Sequence, residues 1–374
     1  MSKQSPRLEV LTRSEWVPEN DKPLIIAGPC SAESEEQVLA TAHAVAKVPG
    51  VKIFRAGVWK PRTRPGDFEG HGVQALQWLK RAKEETGLLT ACEVANTNHV
   101  YEALKFGVDV LWIGARTSVN PFSVQEIANA LSGVDVPVWV KNPVNPDLQL
   151  WIGALERMSN AGIKRLGAIH RGFSVYSKMP YRNAPKWDIA IELKRIAPEI
   201  PLICDPSHIA GKRDLVREVS QKALDMAMNG LMIETHVDPE KAWSDSAQQV
   251  TPDSLKDLLE SLTYRKEEGE GNGKEILVAY RSEIDILDQQ LLDILYRRNQ
   301  ISEKIGQYKK DHNMAILQVG RWHHLIEDRL EQARQMGMED AFVKEIYQKV
   351  HENSIRIQSK LMNPNGDKKK NGKA

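Results

Sequence analysis

The sequence predicts a (β/α)8 TIM barrel followed by an all-α helical domain, and three observations carry that expectation. Up to about Leu262, eight short and almost continuously apolar runs alternate with amphipathic helical stretches. A polar, glycine-rich stretch, RKEEGEGNGK (265–274), then breaks the pattern. Beyond it, apolar residues recur at helical spacing and no strand signal interrupts them.

In chain order the eight runs are PLIIAGPC (23–30), KIFRAG (52–57), LLTACEV (88–94), VLWIGA (110–115), PVWVKN (137–142), RLGAIHR (165–171), PLICDPS (201–207) and GLMIETH (230–236). Runs this apolar imply strands buried on both faces, as in a parallel sheet. Eight within about 240 residues suit a closed barrel. A doubly wound open sheet is the alternative, because periodicity does not establish closure. After the linker, Leu277, Ile284, Leu287, Leu291, Leu295 and Ile305 predict one long helix to about Asp311, with further helices near 320–335 and 339–361. The expected divisions are a barrel over 1–264, a flexible linker over 265–274, a helical domain over 275–362 and a tail over 363–374. That tail, with Pro364 and four lysines, reads as a solvated disordered end rather than a nucleic-acid arm.

Of the 374 residues, 41% are hydrophobic and 27% charged, with a net charge of +1. Nothing there draws the chain as a whole to nucleic acid or membrane, so a basic site must be a local cluster. No apolar run is long enough to span a bilayer, and MSKQSPRLEV lacks the apolar core of a signal peptide. Three cysteines read as reduced thiols in a cytoplasmic protein. About twenty residues precede the first strand, too few for a separate N-terminal regulatory domain.

Strand interiors in a barrel should be apolar, yet each run finishes on or near a residue with chemistry: Cys30, Arg55, Glu93, Arg116, Lys141, Arg171, His208 and Glu234. Any one of them reads better as a surface or core residue. All eight together point to the C-terminal mouth, where barrel active sites are built. Arg55, Lys60, Arg62, Arg116, Lys141 and Arg171 form a cationic set suited to phosphate and carboxylate groups. Cys30, His208, Glu234 and Asp245 mix thiolate, imidazole and carboxylate, which suits a divalent transition metal at a catalytic position. Their wide spacing makes this a weak signal by itself. Cys92 and Cys204 fall inside strands and read as small core residues.

The motifs GPCS (28–31), KPRT (60–63), GAR (114–116), KNP (141–143), IHRG (169–172), DPSH (205–208) and IETH (233–236) followed by SD (244–245) occur in this order. Together they resemble the 3-deoxy-D-arabino-heptulosonate 7-phosphate (DAHP) synthases, in their compact type I-beta class, over roughly residues 20–262. The resemblance implies Cys30, His208, Glu234 and Asp245 as ligands of a divalent ion, Mn²⁺ first, with Fe²⁺, Co²⁺, Zn²⁺ or Cd²⁺ as alternatives. It places Arg116 and Arg171 at the phosphate of phosphoenolpyruvate, Arg55 and Lys141 near its carboxylate, and Lys60 beside the reacting centre. Arg62 and Thr63 would grip the phosphate of erythrose 4-phosphate, and Glu93 would handle the attacking water. The competing family, 3-deoxy-octulosonate 8-phosphate synthase, takes a five-carbon phosphosugar and has an asparagine-containing loop where this chain has KPRT.

The stretch YRSEIDILDQQLLDILYRRNQISEKIGQYK (280–309) resembles the first helix of the all-helical chorismate mutases, and the likeness continues over about 277–361. It implies basic positions at Arg281, Arg298, Lys309 and Arg321, with Ser354 and Gln358 beside them. Arg298 and Lys309, eleven residues apart, share one helix face. By resemblance Arg281 and Arg298 suit the two carboxylates of chorismate, while Lys309 and Gln358 suit its ether oxygen. Members of that family are intertwined dimers, so a homodimer through this domain is expected, or a higher homo-oligomer built on it. Trp322 and Gln318 stand where the family usually has acidic residues, so the module could instead only dimerise and sense ligand. The product, prephenate, is then the expected inhibitor of the barrel.

Overall fold

The computed structural model describes residues 8–11, 22–61, 66–176, 178–265 and 272–363. It divides into two compact units, Met1–Glu267 and Glu268–Ala374. Of the expected linker, 266–271 lie outside the described residues, as do 364–374 of the expected tail.

The first unit alternates strand and helix. Its strands are β1 (Leu24–Gly28), β2 (Val51–Arg55), β3 (Leu89–Val94), β4 (Val110–Ile113), β5 (Val138–Lys141), β6 (Leu166–His170), β7 (Leu202–Cys204) and β8 (Gly230–Glu234). Its helices are α1 (Glu35–Ala46), α2 (Val73–Thr86), α3 (Thr97–Lys105), α4 (Pro121–Ala130), α5 (Leu148–Asn160), α6 (Trp187–Ile196), α7 (Pro206–Ala210), α8 (Val216–Asp225) and α9 (Pro252–Ser261). All eight strands pair in parallel and in sequence order, and the sheet closes. The closing pair is β1 with β8, in register from Leu24↔Gly230 to Gly28↔Glu234. An open sheet is thereby excluded.

Local chemistry fixes where the helices start. Ser34, Asn96, Asn120, Asp147, Asp205 and Thr251 each cap a helix by accepting from a backbone N–H in its first turn. Pro121, Pro206 and Pro252 occupy the first helical position, where a missing N–H costs nothing. Arg55, Glu93, Lys141 and Glu234 still belong to the ladder, whereas Cys30, Arg171 and Asp205 lie past the ends of their strands. After Cys204, for example, Asp205 turns the chain into α7.

Side chains on a strand alternate between its two faces. One set of buried residues, Leu24, Ile26, Ile53, Ala91, Val110, Trp112, Trp139, Ile169, Ile203 and Met232, fills the barrel interior. The alternate set packs outward against the helices in a second, larger cluster that includes Ile25, Phe54, Leu111 and Val140. Counting two residues on from the interior set gives Arg55, Glu93, Lys141, Arg171, Asp205 and Glu234. Fold and site are therefore one pattern of period two.

The second unit is three helices, α10 (Asn272–Asp311), α11 (Val319–Gln335) and α12 (Asp340–Met362). Helix α10 begins at Asn272, inside the stretch read from sequence as linker, and at 40 residues is about 60 Å long. Its C-terminal half packs on α12, with Ser302 hydrogen-bonded to Ser354 and Asn353 to Asn299. Its N-terminal half carries exposed apolar residues, among them Leu277, Ile284, Leu287 and Leu291, and Ile294 follows just beyond.

Trp139 is 1% exposed at the centre of the barrel interior. Replacing it with alanine leaves a cavity and should cost roughly 3–5 kcal/mol. Denaturant unfolding followed on the barrel unit should show a lowered midpoint with its slope retained; an unchanged midpoint would contradict this packing.

Candidate active sites

At the C-terminal ends of the barrel strands, Cys30, Glu234 and Asp245 each present a ligand atom, and these atoms lie within 4.8 Å of one another. Cys30 Sγ is 3.4 Å from Asp245 Oδ2. His208 enters from α7, with Nε2 3.8 Å from Glu234 Oε1 and Nδ1 2.8 Å from Asp205 Oδ2. Three of the four expected ligands thus converge directly, and the fourth stands beside Glu234. Asp245 sits at φ +48°, in the left-handed region that non-glycine residues seldom adopt.

Burial and the carboxylate of Glu234 push the Cys30 thiol up to about 12. Against burial, which pulls the other way, His208 and Arg55 hold the Glu234 carboxyl below its ordinary value. His208 and Arg182 do the same for Asp245. Burial lowers His208, against the pull of Asp205 and Glu234. Glu234 Oε1, fully buried, has no hydrogen-bond partner among the described residues. A cluster of carboxylates with an oxygen that accepts no hydrogen bond, an imidazole and a thiol that a cation would deprotonate fits a divalent metal.

The cationic set surrounds this cluster. Arg55, 1% exposed, donates from Nη2 to the Cys30 carbonyl at 3.3 Å, lies 3.4 Å from Glu234 Oε1 and covers the Trp112 ring. Its Nε and Nη1 have no partner among the described residues. Buried donors are almost always satisfied, so an anion is the natural complement. Lys60 Nζ donates to Cys30 Sγ at 2.9 Å and to the Cys30 carbonyl at 3.0 Å. Burial pulls Lys60 down, but its contacts with Cys30 and the carboxylate of Glu234 outweigh that pull and hold the ammonium above its usual value. Lys141 Nζ pairs with Asp205 Oδ2 at 2.7 Å. Burial drags Arg171 down to about 10, and its Nη1 donates to Asn183 Oδ1 at 2.9 Å.

A cavity of about 450 Å³ opens over these groups, lined by Lys60, Glu93, Arg116, Lys141, Arg171, Arg182, Asn183, His208 and Asp245. Within it Glu93 Oε2 accepts from Trp112 Nε1 at 3.0 Å. Gly114 makes room for that carboxylate, since a Cβ there would come 2.1 Å from Glu93 Oε1. Arg62 and Thr63 lie outside the described residues. A further cavity of about 370 Å³ lies at the opposite end of the barrel, lined by Leu24, Ile53, Leu89, Val110 and Trp139. There Asp109 pairs with Lys83 and Asp135 with Arg165, so the polar groups do not converge on the space.

Sequence reasoning missed Asp205, Arg182, Asn183 and Gln248. Asp205 carries a usable signal, because it stands two residues beyond interior Ile203. The others come from loops with no period.

In the helical unit, Arg298 donates to Ser354 Oγ, and Lys309, 7% exposed, donates to the Ile316 carbonyl at 2.6 Å. Gln358, also 7% exposed, leaves Oε1 without a partner among the described residues. Trp322 stacks on His351 with ring centroids 4.1 Å apart. Burial, then the charges of Arg298 and Lys309, lower His351. Arg321 and Arg281 are exposed. Arg281 lies seventeen residues before Arg298 on α10, about 25 Å along the axis.

A closed parallel barrel with a thiol, two carboxylates and a ring of cations at its mouth defines an enzyme that handles small anionic substrates. Residues 11–269 match the model of the DAHP synthetase I family, and the chain belongs to that family. Residues 280–359 match the chorismate mutase type II family, so the chain joins a transferase domain to an isomerase domain. The phospho-2-dehydro-3-deoxyheptonate aldolase of Thermotoga maritima is 31% identical over 239 residues, covering 64% of this chain and 68% of the relative. A 2-dehydro-3-deoxyphosphooctonate aldolase of Nitratidesulfovibrio vulgaris is 27% identical over 271 residues, covering 64% and 90%. A crystal structure of the T. maritima DAHP synthase superposes with TM-score 0.58 at 28% identity, over 68% of this chain and 75% of that one.

A methyl group at Gly114 must displace the Glu93 carboxylate. Gly114→Ala should retain the folded barrel, checked by circular dichroism, and lose about a hundredfold in synthase rate, the cost of a misplacement near 1 Å. Wild-type turnover would contradict a role for Glu93 in the site.

Proposed function

We propose that the barrel condenses phosphoenolpyruvate with D-erythrose 4-phosphate to give DAHP and phosphate, and that the helical domain rearranges chorismate to prephenate. For the barrel, the observation that carries the reading is that Nε and Nη1 of buried Arg55 donate to nothing among the described residues, while buried Glu234 Oε1, 3.4 Å from Arg55 Nη2, accepts no hydrogen bond. One asks for an anion and the other for a cation, side by side.

Arg55 and Lys141 hold the carboxylate of phosphoenolpyruvate, and Arg116 and Arg171 its phosphate. Fixed cations bring two anionic substrates together, which water would resist. The enol carbon then forms a bond to the aldehyde carbon, as the C=O π pair moves onto the aldehyde oxygen, which takes up a proton to become the product hydroxyl. Lys60, kept charged by its neighbours, stands beside the reacting centre. Water adds to the cationic carbon of the former enol, its proton passing to Glu93, and phosphate leaves. Cys30, His208, Glu234 and Asp245 would hold a divalent ion, Mn²⁺ before Fe²⁺, Co²⁺, Zn²⁺ or Cd²⁺, which supplies Lewis-acid polarisation of the aldehyde oxygen. The second reading, an octulosonate-type synthase, has a relative at 27% identity behind it, against 31% for the heptulosonate relative. The KPRT motif favours the four-carbon aldehyde.

In the helical domain, Arg298 and Ser354, with Lys309 and Gln358, offer charge and hydrogen bonds to a compact dianion and its breaking ether oxygen. Arg281, about 25 Å along α10 from Arg298, cannot serve the same substrate within one chain. A second copy can supply it. The stripe Leu277, Tyr280, Ile284, Leu287, Leu291, Ile294 has the 3–4 spacing of a paired-helix seam and is exposed. Both observations favour a homodimer through α10. A ligand-sensing, non-catalytic module is the alternative, because Trp322 stacks on His351 where an acidic residue would bind the substrate hydroxyl. Three buried, unpaired cysteines and the lack of a helix long and apolar enough to cross a membrane, among the described residues, agree with a cytoplasmic setting. Prephenate bound to the helical domain is the regulator proposed for the barrel, which requires that it bind one state of the chain better than another.

Chelator should abolish DAHP formation and Mn²⁺ restore it, with erythrose 4-phosphate turned over faster than arabinose 5-phosphate. Full turnover in stringently metal-free protein, or the reverse preference, contradicts the barrel reading. Truncation near Glu268 should leave an active synthase that prephenate no longer inhibits; inhibition unchanged by truncation removes the proposed regulation. Chorismate loss measured on the full chain separates mutase from sensor, since a sensor binds prephenate without turnover.

A further inference from the structure

The loop between β6 and α6 contributes two adjacent residues, Arg182 and Asn183, that belong to neither the cationic set nor the donor set. Arg182 Nη1 donates to Asp245 Oδ1 at 2.8 Å and to Gln248 Oε1 at 2.9 Å. Gln248, 1% exposed, donates in turn from Nε2 to Glu234 Oε2 at 2.6 Å. One guanidinium therefore reaches both carboxylates of the donor set, the second through an amide. Asn183 is buried and works in two other directions. Its Oδ1 accepts from Arg171 Nη1 at 2.9 Å, and its Nδ2 donates to the main-chain carbonyl of His208 at 2.6 Å.

The pair is itself held in place. Arg182 N donates to the Ala210 carbonyl and Asn183 N to the Ile209 carbonyl, while Ala184 and Phe173 exchange backbone hydrogen bonds. The end of α7 approaches so closely that a Cβ on Gly211 would stand 2.2 Å from Arg182 Cβ. Two successive side chains on one anchored segment thus touch groups just after β6, on α7 and in the loop after β8.

We propose that Arg182 and Asn183 are positioning residues that couple the divalent-ion donor set to the anion-binding Arg171, so that each ligand favours the other. This rests on the reading given under Proposed function. Arg182 carries a positive charge towards a cation site, and that charge alone would oppose metal binding. Its side chain is 48% exposed, so water screens the charge, whereas the hydrogen bonds to Asp245 and Gln248 hold the carboxylates in one geometry. Positioning outweighs repulsion. Coupling between two binding free energies is reciprocal, so it can be read from either ligand.

Direct titration of Mn²⁺ and of phosphoenolpyruvate on the full chain tests this without relying on turnover. In the wild type each ligand should tighten the other. Arg182→Ala should weaken Mn²⁺ about tenfold and leave phosphoenolpyruvate affinity in metal-free protein unchanged. Asn183→Ala should weaken phosphoenolpyruvate about tenfold and abolish the mutual tightening. Asn183→Asp keeps the oxygen that faces Arg171 but loses the donor to His208. Its negative charge beside Arg171 should weaken phosphoenolpyruvate further, and the mutual tightening should be absent as in the alanine variant. Tighter Mn²⁺ binding by Arg182→Ala, or wild-type coupling in the Asn183 variants, overturns the proposal. A wild-type protein that binds no Mn²⁺ overturns both the proposal and the metal reading beneath it.

Discussion

Closure of eight parallel strands is the constraint on which the barrel's chemistry depends. Once β1 pairs with β8, each strand must send alternate side chains into a common interior, and that interior has room only for apolar residues. The next inward position on each strand falls at the rim. Ile53 is followed in this way by Arg55, Trp139 by Lys141, Ile169 by Arg171, Ile203 by Asp205 and Met232 by Glu234. A charged residue at those positions is brought towards its counterparts by the backbone alone, before any side chain has chosen a partner.

Burying that much charge is costly unless the charges are balanced and hydrogen-bonded. Lys141 meets Asp205, Arg55 meets Glu234, and Asp205 also faces His208. Against the upward pull of burial, His208 and Lys141 hold the Asp205 carboxyl well below its ordinary range. Among the described residues the balance is incomplete at two points, Nε and Nη1 of Arg55, which donate to nothing, and Oε1 of Glu234, which faces Arg55 Nη2 but accepts no hydrogen bond. Stability alone would have satisfied or removed such groups, so their persistence is best explained by ligands.

The barrel was legible because its signals are periodic. Eight apolar runs located the strands to within a few residues, and polar residues at their ends located the rim. Asp205 was legible by the same count and was passed over, because DPSH draws attention to its histidine. Arg182, Asn183 and Gln248 were not legible, since they come from irregular loops whose positions are fixed by tertiary hydrogen bonds. In the helical domain the three helices were readable from spacing, except that α10 starts at Asn272, within a stretch whose glycine argued for a linker. The stacking of Trp322 on His351 was beyond reach, as the two residues lie on different helices. So was the separation of Arg281 from the other basic residues in space, though the helix rise implies it.

The central claim is that one buried cluster on the barrel rim holds a divalent ion between a thiol and two carboxylates. Anomalous X-ray scattering from Mn²⁺-loaded crystals tests it most directly. A single strong peak bounded by Cys30 Sγ, Glu234, Asp245 and His208, within coordination distance of each, is the predicted result. A peak elsewhere in the barrel, or none at saturating Mn²⁺, would contradict it.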